Sequence, residues 1–218
     1  MEIAAASSRL ARLGEPDLEL FQGLCFCFRR VTVAQAAQLR GQTEEQAKRA
    51  LERLCAAGWL GRSWVMQVLV NLTGPLSVRR ASDDQPDYRA VARTLAARGN
   101  APLRKAWAYH ATRRAVHLTG GVAPDLSKPH QGANDLAVVE MHLAVTRSRP
   151  RLAATWIGED LFRTAKPGRG AVPDAVAIDD DGLVRAFDYG SEHYDAARLE
   201  ELDRRCCLEL RFSSFEVW

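Results

Sequence analysis

Two carboxylates, Asp174 and Asp188, stand at the start and near the end of VPDAVAIDDDGLVRAFDYGS, where two short apolar runs flank an Asp-Gly turn. A third, Glu159, lies upstream in WIGE. Carboxylate oxygens suit a hard cation such as magnesium, which takes octahedral oxygen ligands at about 2.0–2.1 Å. A magnesium ion could bridge Glu159, Asp174 and Asp188. Alternation along the second apolar run puts Val184, Ala186 and Asp188 on one side and Arg185, Phe187 and Tyr189 on the other. Hydrolysis also needs a group that positions and activates water. Lys166 is the last lysine, which leaves only Arg198, Arg204 or Arg205 downstream, and arginine stays protonated and is a poor base. The three acids would hold a cation better than they would cut with it. Asp179, Asp180 and Asp181 before Gly182 read as turn residues, with no glutamate to close a calcium loop. His110, His117, His130, His142 and His193 share no ligand spacing, and the five cysteines have neither a zinc pattern nor a disulfide framework. The thiols are expected reduced and mostly buried.

A second set of residues could meet a polyanion. In VTVAQAAQLRGQTEEQAKRALERLCAAGWLGR, Thr32 can cap a short helix through Leu39, and Gly41 breaks it. Thr43 with Gln46 forms a capping box for a helix from about Glu44 to Ala57, with Ala47, Ala50, Leu51 and Leu54 inward and Gly58 at its exit. Trp59-Leu60 then begin an extended segment. Short helix, Gly turn, capped helix and strand resemble a winged-helix DNA-binding domain over Asp17 to Val78. The resemblance implies DNA contacts from Gln42, Thr43, Gln46, Lys48, Arg49 and Arg53 on the second helix, with Arg62, Arg79 and Arg80 near the wing. Gln and Arg can read base edges, whereas Lys and Thr grip phosphate. Glu44, Glu45 and Glu52 oppose such contacts, although two of them also favour the helix N-terminus. Trp107 and Tyr109, beside basic residues, either stack on bases or fill a hairpin. The same module could instead dock a protein.

Around these residues the periodicity predicts a helix over Leu18 to Phe28, a strand in SWVMQVLVNLT that returns through LTGPLSVRRASDDQPD, and a helix over Pro86 to Arg98 stopped by Gly99-Asn100. WAYHATRRAVHLTGG reads as two short strands or one irregular basic helix. Asn134 caps a helix over Asp135 to Thr146; RLAATWIGEDLFR is extended, and the glycine-rich KPGRGAV leads into the Asp174–Asp188 hairpin. A helix over Glu192 to Cys207 and a strand in LELRFSSFEVW follow. The expected fold is α+β or α/β: a winged-helix region over 1–120, a linker over 121–133 and an α/β domain with a small mixed sheet over 134–218.

Helix, three strands, helix, strand, with Pro173-Asp174 on the second strand, resembles the restriction-endonuclease-like PD-(D/E)xK core. More specifically, VVEMHLAV, WIGE, the PDA hairpin and AFDYGSE after a winged helix are similar to the replication-relaxation family of plasmids and mobile elements. Only the nuclease resemblance joins Glu159, Asp174 and Asp188 into a metal site, and a vestigial one; it implies magnesium as a cofactor if the nuclease-like domain is active. The departure lies on the third strand. The acid and lysine of the nuclease pattern would fall on Ala186 and Asp188, or on Asp188 and Gly190, and neither register works.

Residues 1–133 carry 19 Lys+Arg against 11 Asp+Glu, net +8, and residues 134–218 carry 11 against 16, net −5. The basic half points to nucleic acid through phosphate neutralisation. At 47% hydrophobic and 26% charged the chain has the composition of a globular protein, with no apolar run long enough for a bilayer and no secretion signal, so a cytoplasmic location away from membranes is expected. The sequence thus predicts a regulator of transcription, replication or transfer that binds double-stranded DNA. Its nuclease-like domain would be inactive, without a cofactor, and would serve assembly, a homodimer or a protein partner. The alternatives are a magnesium-dependent DNA endonuclease and a protein-interaction adaptor.

Overall fold

Local capping chemistry sets the opening helices of the computed structural model, which describes residues 14–68, 72–98, 102–124, 126, 131–166 and 170–218. Helix α1 (Glu15–Phe26) starts earlier than its apolar stripe because Gly14 caps it and a proline occupies its first turn. Thr32 caps α2 (Val33–Leu39) and Thr43 caps α3 (Glu44–Ala56), each in a full capping box, with Gln35 and Gln46. Between α2 and α3, Gly41 turns the chain at φ +59°, a conformation that carries little penalty only without a Cβ.

The chain is an α+β protein of two compact units that interleave along the sequence. One comprises Met1–Gln67 and Arg104–Val139, the other Val68–Leu103 and Glu140–Trp218. This differs from the expected boundary at 121–133. Residues 68–103 belong to the second unit although they lie within the first 120, and α6 (Gln131–Ser148) runs from the first unit into the second. Helix α6 also begins before Asn134, the expected cap. It is apolar nearly all round, with Leu136, Ala137, Val138, Val139, Met141, Leu143, Ala144 and Val145 all buried, the pattern of a core helix rather than a one-faced one.

In the first unit, Leu20, Phe21 and Leu24 of α1 are buried, as are Ala47, Ala50, Leu51 and Leu54 of α3, and Phe21 meets Trp59 edge-on at 5.8 Å. Strand β1 (Leu60–Val68) pairs with β3 (Leu103–Ala111), and a single bridge from Val31 to Tyr109 adds the segment before α2. The segment WAYHATRRAVHLTGG is neither two strands nor one helix: its first residues end β3 at Ala111, and Thr112 caps α5 (Arg113–Thr119). Arg30 reaches Asp135 at 3.0 Å with both side chains almost fully buried, and Gln35 donates to the Leu136 carbonyl at 2.8 Å.

The second unit holds a five-stranded sheet in the order β2-β7-β6-β5-β4. Its strands are β2 (Ser77–Arg80), β4 (Ile157–Gly158), β5 (Ala175–Ile178), β6 (Val184–Asp188) and β7 (Ser214–Val217). Only β6 and β7 run parallel, and α9 (Ala196–Asp203), extended by a π-helical segment Arg204–Glu209, makes the crossover that a parallel pair requires. The mixed sheet was expected; β2 as its edge was not. The expected wing return over 77–80 pairs instead with β7, Ser77 opposite Val217 and Arg80 opposite Ser214. The segment RLAATWIGEDLFR, expected extended, breaks into α7 (Pro150–Ala153), two-residue β4 and α8 (Glu159–Ala165). Tyr88, Val91 and Leu95 of α4 (Tyr88–Arg98) pack with Leu199 and Leu202 of α9 and with Val176, Ala186, Phe215 and Val217 of the sheet. Phe187 faces the other way, onto Trp156 at 4.8 Å. The expected stop at Gly99-Asn100 and part of KPGRGAV lie outside the described residues, as does His130.

Candidate nucleic-acid interface and carboxylate cluster

Helix α3 is amphipathic because its apolar residues fall at three- and four-residue spacing, so burial of one face turns Thr43, Gln46, Lys48, Arg49 and Arg53 to solvent and leaves Gln42 half-exposed. Thr43 and Gln46 are already engaged in the cap: the Thr43 N–H donates to Gln46 Oε1 at 3.0 Å, and Gln46 N–H donates to Thr43 Oγ1 at 3.3 Å. Reading a base with Gln46 would cost that bond. Arg49 donates to Glu45 at 3.2 Å with both side chains about two-thirds exposed, a pair weak enough, at about 0.2–1 kcal/mol, for phosphate to compete with. Asp17 of α1 takes both Arg53 at 3.2 Å and Arg40 at 2.5 Å. Arg53 is thereby steered along the helix surface while remaining 64% exposed.

Strand alternation places Arg62 and Trp64 of β1 outward beside Lys105 and Trp107 of β3, while Val65 and Ala108 turn inward to Leu136. Trp64 and Trp107 stack with ring centroids 3.6 Å apart. Tyr109 is buried. The sequence pointed to Trp107 and missed Trp64; the signal was the shared parity of Arg62-x-Trp64 and Lys105-x-Trp107, which only strand pairing makes adjacent. Arg79 and Arg80 are elsewhere, on β2 of the second unit. The Arg79 guanidinium is bound to the buried Asp203 carboxylate, which takes it out of any wing edge, and Arg80 is exposed.

In the second unit, the alternation of β6 brings Asp188 beneath α9. Burial is the largest influence raising its carboxyl well above the usual range, followed by the neighbouring Asp174; Arg198 and the Tyr194 hydroxyl oppose the rise, and Glu159 adds to it. The three predicted acids thus share one electrostatic neighbourhood. Asp174 Oδ2 accepts the Tyr189 N–H at 2.8 Å, the Glu159 N–H donates to the Asp174 carbonyl at 2.8 Å, and the Glu159 carboxylate takes Arg163 at 2.6 Å. Asp188 Oδ1 has no hydrogen-bond partner among the described residues. The donor chemistry suits magnesium, but among the described residues no three His, Cys, Asp or Glu side chains are grouped to hold an ion. An Asp188 whose burial favours the protonated form is also a poor ligand. Tyr194, which no sequence motif marked, brings its hydroxyl to Asp188.

Recounted over the two units, 14 Lys+Arg stand against 9 Asp+Glu in the first, net +5, and 16 against 18 in the second, net −2. The asymmetry therefore persists at reduced size. No helix among the described residues is long and apolar enough to cross a membrane. Comparison with protein-family models, curated proteins and solved structures gives no match to this chain.

Proposed function

We propose that the chain is a DNA-binding regulator of transcription, replication or transfer. Its first unit acts as a winged helix on double-stranded DNA, and its second is a nuclease-like scaffold for assembly or partner contact. One observation carries the reading: α3 buries its apolar face and turns Lys48, Arg49 and Arg53 to solvent, in a pair of capped helices joined at Gly41 whose leading segment is bridged to the β1–β3 ribbon through Val31 and Tyr109. A capped helix of this shape fits a major groove, and cations along it gain from counterion release. The resemblance of VVEMHLAV, WIGE, the PDA hairpin and AFDYGSE to the replication-relaxation family is what supports the mobile-element setting. For the second unit, support comes from the absence of any lysine after Lys166 and from the burial that favours a protonated Asp188.

Anisotropy titrations of a labelled duplex across a salt series, with magnesium or a chelator, test the proposal. Binding should weaken linearly in log salt, and Lys48→Ala and Arg49→Ala should each lower the slope by about one. Asp174→Ala should leave affinity unchanged, with no cleavage by either protein. Salt-independent or absent duplex binding would return the chain to the adaptor class, and magnesium-dependent cleavage abolished by Asp174→Ala would make it an enzyme.

A further inference from the structure

The β1–β3 ribbon carries an exposed column of rings and cations that α3 does not explain. Val65 and Ala108 fill the inner face with Leu136, so alternation sends Trp64 and Met66 outward at 48% and 46% exposure. Trp64 and Trp107 lie nearly parallel, 22° apart at 3.6 Å. Lys105 Nζ sits 4.8 Å over the Trp64 ring and the Arg62 guanidinium 4.8 Å over the Trp107 ring. Each ring covers the other's inner face, which puts the two cations on the outer faces. The column therefore runs Lys105, Trp64, Trp107, Arg62.

From this geometry we infer that the ribbon binds single-stranded nucleic acid by stacking an unpaired base on the outer face of Trp64. Lys105 holds that face only loosely: a cation–π contact at an exposed site is weak, and the lysine stem is flexible. A base entering the column displaces the ammonium, which then lies beside the phosphate of the same nucleotide. Bases within a duplex have both faces covered by their neighbours, so the column selects unpaired ones. Charge argues for a polyanion over a second copy of this chain. An isologous contact through Trp64 and Met66 sets the same patch on both partners and would bring like cations together. The inference rests on the DNA-binding reading above and extends it from duplex to single strand.

The test titrates the full chain with labelled oligodeoxythymidine of about 12 nucleotides, within the span typical of stacking grooves, and in parallel with a blunt duplex. Single-strand binding should quench tryptophan emission. Trp64→Ala should weaken it about tenfold, Trp64→Phe should retain most of it, and both should leave duplex affinity within about twofold, since one stacked base contributes about 5- to 150-fold. Lys105→Glu, which keeps both rings, should also weaken single-strand binding, and thermal melts should show each variant folded. Trp64→Ala or Lys105→Glu binding the oligonucleotide like the parent protein would overturn the inference. So would self-association that Trp64→Ala abolishes while single-strand affinity is unchanged. Duplex binding without oligonucleotide binding defeats this inference alone; binding to neither defeats the underlying reading as well.

Discussion

Three buried acids of the second unit meet different fates. Glu216 is neutralised by a bidentate Arg149 at 2.5 and 2.8 Å and also accepts the Trp218 indole N–H at 3.1 Å, and Asp203 is neutralised by Arg79. Asp188 has no such partner, only the Tyr194 hydroxyl and the charge of Arg198 against burial and two acids. Its folded pKa lies above its unfolded one, so the native state keeps a proton that the unfolded chain releases. Stability must then fall as pH rises above about 4, until the folded carboxyl itself ionises. Asp188→Asn should remove that decline and raise the neutral-pH melting temperature, by about 2–4 °C for each kcal/mol relieved. Urea midpoints from pH 4 to 8 check it, and an unchanged slope would refute it. His142 acts in the opposite sense. Burial pushes its imidazole down to about 4, so its contribution is complete above about 6.5 and is lost as pH falls toward 4. His142→Gln should flatten the acid side of the same curve. Arg149→Met, by contrast, leaves Glu216 buried and unpaired and should cost about 3–5 kcal/mol at neutral pH, read from the same denaturation curves.

At the scale of elements, α3 depends on its cap. Thr43→Ala removes the Gln46 N–H acceptor and should destabilise the protein by about 1 kcal/mol, seen as a lower urea midpoint. It should weaken duplex binding further than that loss alone, because the first turn of α3 frays. The caps at Thr32 and Thr43 were legible in the sequence because donor and acceptor lie three residues apart. So were the Asp174–Asp188 hairpin and the parity of Asp188, since an Asp-Gly turn and a two-residue period are local. Strand partners were not. VRR after a turn looked like the return of β1, and nothing within it indicates that its edge hydrogen bonds go to residues 214–217. The sequence puts Glu159 on or just after a strand, and it follows directly on β4, whose pairing ends at Gly158; that it opens α8 within the expected extended run was not legible. Tyr194 and Trp64 went unmarked for the same reason, as their roles arise from neighbours distant in sequence.

For the whole molecule, the interleaving decides which fragments can stand alone. Residues 1–120 lack Asp135 and Leu136, which hold Arg30 and fill the space beneath Val65, and they carry β2 and α4 without the rest of their sheet. That fragment should fail to fold cooperatively. A chain through Val139 in which residues 69–102 are replaced by a short turn should show a single melting transition by circular dichroism, because the β1–β3 ribbon and the first half of α6 are retained.

The pairing of β2 with β7 has a further consequence during synthesis. The ribosome emits residues 77–80 well before their hydrogen-bonding partners at 214–217, which follow every other described strand. A nascent chain therefore displays an unmatched strand edge, and the apolar side of α4, throughout the translation of the intervening residues. Such an edge invites aggregation, and the newborn polypeptide should recruit holding chaperones until β7 emerges.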